Sequence, residues 1–265
     1  MPAEQSWSLP LLRQQLAQGL PGCVVEVVPS IDSTSSELMR RLRQGQVQAT
    51  LLVAEHQSAG RGRLGRHWLS STAPAGAQPA GALLFSLSLP LAAHHWTGLS
   101  LAMGVALADG IHPGVQLKWP NDLWWDHRKL AGILIETAII GSARYAVIGM
   151  GINVAPPEAS GLHPAPAWTR ELLPDIAAPA LLLRVLPAVL QALALFQAQG
   201  LPAFATAFAA RDVLREREVV LSDGTVGVAR GIDATGGLLV HTALGMKSIT
   251  SSEVSVRPVN ADSGG

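Results

Sequence analysis

Between Leu117 and Glu136 the chain reads LKWPNDLWWDHRKLAGILIE, and this stretch constrains the fold more than any other. Pro120-Asn121-Asp122 interrupts a hydrophobic run, the pattern of a tight bend between two strands. From Leu130 the pattern is short, apolar and rich in Ile, bounded by Asp-His-Arg before and Gly141-Ser142 after. That predicts a buried strand. The bend brings Lys118, Asn121, Asp122 and Lys129 to the ends of neighbouring strands. Ammonium and carboxylate groups are costly beside apolar surface unless paired or bound to something charged. The stretch therefore predicts a pocket for a charged ligand.

Composition sharpens this expectation. Of the 19 basic residues 16 are Arg, and the three lysines are Lys118, Lys129 and Lys247. A chain that uses Arg nearly everywhere keeps two of its lysines here, where a compact point charge and a planar fork are not interchangeable. Chance clustering of three residues is the alternative. At 265 residues, 48% hydrophobic and 14% charged, the chain can bury a core, hold one large and one small domain, and is not disordered. Zero net charge offers no basic field for duplex nucleic acid. Cys23 is the single cysteine, which excludes an internal disulfide and fits a reducing compartment. The N-terminus has no apolar signal core, and no run reaches the roughly 18 apolar residues of a membrane span. The expectation is a cytoplasmic protein.

Along the chain, residues 8–20 read as an amphipathic helix and Val24 to Val28 as a strand ending at Pro29. Thr34 followed by Glu37 is a capping box opening a helix that ends near Gly45. Ser33 and Thr34 either cap that helix or turn their hydroxyls to a ligand; the two roles can coexist. Thr50 to Ala54 is a strand that leads into EHQSAGRGRLGRHW at 55–68. There Gly60, Gly62 and Gly65 alternate with Arg61, Arg63 and Arg66, a permissive backbone crowding three guanidinium groups. Such groups repel unless an anion sits among them, so an ordered loop binding phosphate or carboxylate is favoured over an RNA-touching Arg-Gly segment.

Residues 70–81 are low in complexity and expected to be mobile. Ala82 to Leu89 predicts a strand, and 97–111 a helix buried through its small residues. Tyr145 to Ile148 predicts a strand from which Gly149 to Asn153 turns out; Asn153 satisfies its own turn or reads a ligand. Residues 154–179 read as a surface loop, and 180–199 and 202–217 as helices, the first kinked at Pro187. From Glu218 the texture becomes short alternating strands with turn signals at Asp223-Gly224 and Thr235-Gly236-Gly237, predicting a small all-β barrel with Lys247 facing solvent.

Several of these motifs together resemble the bacterial biotin–protein ligases, the biotin–acetyl-CoA-carboxylase ligases. The matching segments are DSTSS at 32–36, GRGRLGRHW at 60–68, KWPND at 118–122, RKLAGILIE at 128–136, GMGIN at 149–153 and GIDATGGLLV at 231–240. They span nearly the whole chain in the right order. The resemblance implies an α+β fold of the class II synthetase-like type. Its mixed, mostly antiparallel sheet is backed by helices over a catalytic domain at 1–217, with an SH3-like barrel at 218–265. It implies ATP-dependent activation of biotin as biotinyl-5′-AMP, then transfer to a lysine of a biotin carboxyl carrier protein. ATP with Mg²⁺ and biotin are the implied substrates, and the implied assembly is a monomer or homodimer. About 30 residues precede the DST motif, too few for a winged helix-turn-helix, so a monofunctional ligase that binds no operator is expected.

Residue by residue, the family pattern places Ser33, Thr34, Ser35 and Gln57 at biotin's ureido head. Arg61, Gly62 and Arg63 fall at its carboxylate end, with Trp68 walling the pocket and Gly132 allowing close approach. Lys129 falls between biotin's carboxylate and the α-phosphate and, with Arg63, is the implied catalytic residue. Arg66, Lys118, Asn121 and Asn153 match positions facing the nucleotide, with Arg63 and Lys129 shared, and Asp122 matches the position facing Mg²⁺. Ser35 stands where the family commonly has Asn. A lipoate–protein ligase and a non-catalytic biotinyl-AMP sensor are the alternatives to weigh.

Overall fold

The structure, a computed structural model, describes residues 6–68, 81–91, 96–156, 165–250 and 256–258. Residues 70–80 of the low-complexity stretch and 157–164 of the expected loop lie outside the described residues. Seven strands form the main sheet: β1 (Val24–Ile31), β2 (Thr50–Gln57), β3 (Ala82–Pro90), β4 (Gln116–Lys118), β5 (Asp122–Trp125), β6 (Arg128–Ile140) and β7 (Ala143–Asn153). Their order is β1-β2-β3-β7-β6-β5-β4, parallel between β1 and β2 and antiparallel elsewhere.

Strand periodicity splits the core between the two faces of this sheet. Leu51, Val53 and Ile148 join one cluster with α1 (Leu9–Gly19), α3 (Leu99–Ile111) and α4 (Ala178–Gln199). Leu52 and Val147, one residue along, pack instead on Leu38, Met39 and Leu42 of α2 (Thr34–Arg43). Between α3 and α4 a small residue matters, since a Cβ on Gly110 would meet the Val185 backbone at 3.0 Å. Contrary to expectation, α4 is long and apolar enough to cross a membrane, with mean hydropathy 1.9. Its residues Leu181, Leu182, Val185, Leu186 and Val189 are fully buried in the protein's own core.

Two hairpins carry the signature stretch. Asp126 and His127 join β5 to β6 with φ of 47° and 59°, both left-handed as a type I′ turn requires. Gly141 (φ 62°) opens the two-residue turn from β6 to β7. Between β4 and β5, Trp119 and Pro120 are joined by a cis peptide. The C-terminal unit is an antiparallel sheet of β8 (Glu218–Leu221), β9 (Val226–Ile232), β10 (Leu238–Thr242), β11 (Gly245–Ile249) and β12 (Val256–Pro258), ordered β11-β10-β9-β8-β12. Lys247 is exposed there, as expected.

Several local expectations are corrected by tertiary context. Ser33, not Thr34, caps α2, its hydroxyl accepting from Ser36 N at 3.4 Å. Glu37 is drawn instead to Arg40 and Arg41 at 2.6 and 2.9 Å, so no capping box forms. Pro29 does not end β1, because β1 is an edge strand and loses no ladder bond to a missing N–H. Gly149 to Asn153 does not turn away but continues β7, paired with β3 and β6 on both sides. The helix expected over 202–217 is a 3₁₀ turn (Leu201–Phe204) followed by the short α5 (Ala205–Ala209). Beyond it Leu117 donates to Arg211 O at 2.8 Å and accepts from Val213 N at 3.0 Å, drawing the chain alongside β4. Within the expected 154–179 loop, Thr169–Glu171 form a 3₁₀ turn with Ala167 and Thr169 buried.

Candidate functional site

The ends of β4, β5 and β6, the start of α2 and the 60–68 loop enclose a cavity of about 170 Å³. Its floor is the pair β6–β7, where alternate residues face the same side. Gly149 and Gly151 lie two apart on β7, and Gly151 is opposite Gly132 on β6. A Cβ on Gly149 would meet Ser35 Oγ at 2.2 Å, and one on Gly151 the Trp68 ring at 2.6 Å. A Cβ on Gly132 would meet the Trp68 ring at 3.0 Å and Lys129 Nζ at 3.3 Å. The floor therefore has a direction, running from Ser35 past Trp68 to Lys129.

At the first end the groups are polar and uncharged. Ser33, Thr34 and Ser35 are buried at the start of α2. Gln57 Oε1 accepts from Thr34 N at 2.7 Å and from Thr34 Oγ1 at 3.0 Å. Ser86, on β3 and fully buried, lies 2.7 Å from the Thr34 hydroxyl and 2.9 Å from that of Ser35. This network satisfies itself through rotatable hydroxyls, which can re-aim at a neutral ligand with both donors and acceptors.

The far end is cationic. Arg61, Gly62, Arg63, Arg66, Lys118 and Lys129 line the cavity there, and Asp122 is the one carboxylate among its lining residues. Lys129 Nζ approaches Asp122 Oδ1 to 2.7 Å. The contact is an ionic approach, since no donor is aligned on that buried oxygen. The same ammonium stands 5.4 Å from the centre of the Trp68 ring, within cation–π range. Lys118 Nζ lies 4.6 Å over Trp124. Burial pushes the pKa of Arg63 down, and Arg66 adds to the effect while Asp122 opposes it. A guanidinium keeps its charge regardless, so Arg63 is a half-buried, partly desolvated cation. It donates to Asn121 Oδ1 at 3.4 Å.

The three loop arginines do not crowd round one point. Arg61 lines the cavity with its guanidinium paired to Glu136 of β6 at 3.0 Å, whereas Arg63 and Arg66 line it without such a carboxylate partner among the described residues. The loop also spends its freedom at Leu64 (φ 55°) and Gly65 (φ 71°), whereas Gly62 is extended. Asn121 braces the bend, donating to Ile133 O at 2.7 Å while Ile133 N donates to its carbonyl at 3.0 Å. Asn153 is not brought to the cavity. Its buried amide donates to Ala167 O at 3.0 Å and lies 3.5 Å from Lys129 O, fixing the backbone behind Lys129. Sequence reasoning does not single out Ser86, Gly149, Gly151 or Trp119. Ser86 had a signal, being one of two serines, with Ser88, in an otherwise apolar strand. The glycines had theirs in the i, i+2 spacing once a strand is assumed.

Among the described residues no group of three His, Cys, Asp or Glu could hold a metal ion. The cavity suits an elongated molecule with a neutral polar head and an anionic tail, the tail facing a second anion across Lys129.

Comparison with known proteins identifies relatives of the whole fold. Residues 27–153 match the biotin/lipoate A/B protein ligase family, and residues 217–257 match the biotin protein ligase C-terminal domain. The bifunctional ligase/repressor BirA of Escherichia coli is 35% identical over 96% of this chain and 82% of its own length. The biotin–[acetyl-CoA-carboxylase] ligase of Paracoccus denitrificans is 30% identical over 84% of this chain and 96% of its own. The biotin protein ligase of Aquifex aeolicus, solved in complex with biotin and ATP, superposes with a TM-score of 0.75 at 28% identity, covering 89% of this chain and 99% of that one. With both family matches and a relative 35% identical over 96% of this chain, the chain belongs to the biotin/lipoate A/B protein ligase family, as a biotin protein ligase.

Proposed function

We infer that biotin lies along the cavity floor with its ureido head at Ser33, Thr34, Ser35 and Gln57 and its carboxylate at Lys129, and that ATP enters at the Arg66–Lys118 end. The chain is an ATP-dependent ligase that joins biotin to protein. One observation carries the assignment of ends: on one sheet face Ser35 packs at Gly149, Trp68 two residues along at Gly151, and Lys129 beside it at Gly132, the partner of Gly151. A lipoate ligase would not need the hydroxyl and amide cluster around Ser86, because lipoate has no ureido head.

In the first step a carboxylate oxygen of biotin attacks the α-phosphorus of ATP. The bond from that phosphorus to the bridging oxygen breaks, and pyrophosphate leaves. Both reactants are anionic, so fixed positive charge must sit where they meet. Lys129 supplies it by exchanging its approach to Asp122 for the incoming oxygens. Arg63, already desolvated, holds the product anhydride, while Trp68 keeps water from it. Mg²⁺ bound with ATP would screen the triphosphate, with Asp122 as the residue to hold it. Asp122 fits such an ion, since Mg²⁺ on a nucleotide asks for one or two carboxylates beside the phosphates. In the second step a neutral lysine amine of the acceptor attacks the biotinyl carbonyl, AMP leaves, and the amine gives its proton to solvent. No side-chain nucleophile is required.

The acceptor is a biotin carboxyl carrier protein. The catalytic domain spans 1–217 and the second unit 218–265, a division supported by the start of β8 at Glu218. A cytoplasmic location belongs to this reading and fits the single cysteine, Cys23. The test is incubation with biotin, ATP, Mg²⁺ and an apo carrier domain, followed by mass measurement of the carrier. Biotin on one lysine supports the reading. A biotinyl-AMP sensor would leave the carrier unlabelled, and a lipoate ligase would label it only with lipoate.

A further inference from the structure

The cavity wall is tied to the C-terminal sheet at one point. Trp119, which lines the cavity, is 1% exposed, so its indole N–H needs an acceptor inside the protein. It donates to Gly236 O at 2.9 Å, in the turn between β9 and β10. That turn is held by Asp233, whose carboxylate accepts from Thr235 N and Thr235 Oγ1 at 2.7 Å, from Gly237 N at 3.0 Å and from the Ser248 hydroxyl on β11. The Asp233 backbone closes the loop through Gly237 O at 2.9 Å and Gly236 N at 3.0 Å. Gly236 has a φ of 86°, and a Cβ there would meet Gly98 Cα at 3.1 Å. The turn is thus seated directly against the residue that starts α3. Two residues along that helix, Ser100 Oγ donates to Pro120 O at 3.0 Å.

Trp119 and Pro120 are therefore gripped from behind, one by the C-terminal turn and one by α3. The next two residues are Asn121, which meets Arg63, and Asp122, which meets Lys129. We propose that Asp233 is a positioning residue for adenylation: by fixing the β9–β10 turn it holds the Gly236 carbonyl against Trp119, and so aims Asn121 and Asp122 at the nucleotide. This deepens the ligation reading and rests on it. The uncharged end of the cavity is built on α2, β2 and β3, away from this brace. Disturbing the turn should accordingly affect ATP and spare biotin.

The experiment is biotin-dependent exchange of labelled pyrophosphate into ATP by the full chain, with Asp233→Asn, Trp119→Phe and the double variant. Biotin affinity without ATP is measured by calorimetry, and folding by thermal melts. Asp233→Asn should lower kcat/KM for ATP by about tenfold with biotin affinity unchanged, and the double variant should be no worse than the poorer single one. Wild-type exchange kinetics in Asp233→Asn, or losses that multiply in the double variant, overturn the proposal. If Asp233→Asn does not fold, Thr235→Ala with Ser248→Ala removes two hydroxyl donors and keeps the carboxylate; wild-type kinetics there overturn it equally. A wild-type chain without biotin-dependent exchange defeats the ligation reading itself, which separates the two failures.

Discussion

Lys129 Nζ sits 2.7 Å from Asp122 Oδ1, and a side chain on Gly132 would intrude on that same ammonium at 3.3 Å. The lysine is thus paired and hemmed in, yet its side chain remains 40% exposed. An exposed pair of this kind contributes little to stability. On the ligation reading it keeps the ammonium aimed until a stronger anion displaces the carboxylate.

Lys129→Ala should therefore cost adenylation and leave folding nearly intact. Pyrophosphate exchange is expected to fall by about 10³-fold or more, as when a fixed transition-state charge is removed. The melting temperature should hardly move. Near-normal pyrophosphate release would count against the assignment.

Arg63→Gly removes the half-buried cation that the ligation reading sets against the intermediate. A charge-assisted bond contributes about 1.5–3 kcal/mol, so release of biotinyl-AMP should quicken by about 10- to 100-fold. Escaped anhydride would label lysines on bystander proteins. Stopped-flow measurement of the dissociation rate decides, and an unchanged rate contradicts the role.

Gly149→Ala tests the floor of the uncharged end. The new methyl would stand 2.2 Å from Ser35 Oγ, so the serine must shift and disturb its contact with Ser86. A misplacement of that size should raise the KM for biotin by about 100-fold while the KM for ATP changes little. Equal changes in both would refute the ordering of the cavity.

A pH prediction follows from Asp233. Burial alone would raise its pKa, but the hydrogen bonds from Ser248, Thr235 and Gly237 hold it down to about 2 from 3.8. A carboxyl depressed on folding adds stability that is present above its unfolded value and lost as pH falls through the folded one. The stability gap between wild type and Asp233→Asn should be constant near neutrality and close between about pH 4 and 2. Urea unfolding across that range measures it, and a gap independent of pH would show that the charge is not responsible.

How much of this was legible beforehand depends on the range of the forces involved. Period-two runs and turn residues marked β2, β3, β6 and the C-terminal strands, because local sterics and a buried face act within a few residues. The Pro-Asn-Asp bend and its neighbouring lysines announced a charged pocket for the same reason, since so many ionisable groups beside apolar surface need a partner. Groups set by distant partners were illegible. Glu37 left the cap for two arginines, Asn153 turned from the cavity to the Ala167 carbonyl, and Arg61 was taken by Glu136. The 202–217 helix failed because Leu117, far back in the chain, offered its backbone as a strand partner.

Sequence alone determined the class of fold and the family and marked the charged residue types that line the cavity, because those depend on residue types at short spacing. Only the tertiary structure decided the order of groups along the cavity and the grip of Gly236 on Trp119. Both are distances between segments far apart in the chain, and those are fixed by how strands pair and helices pack.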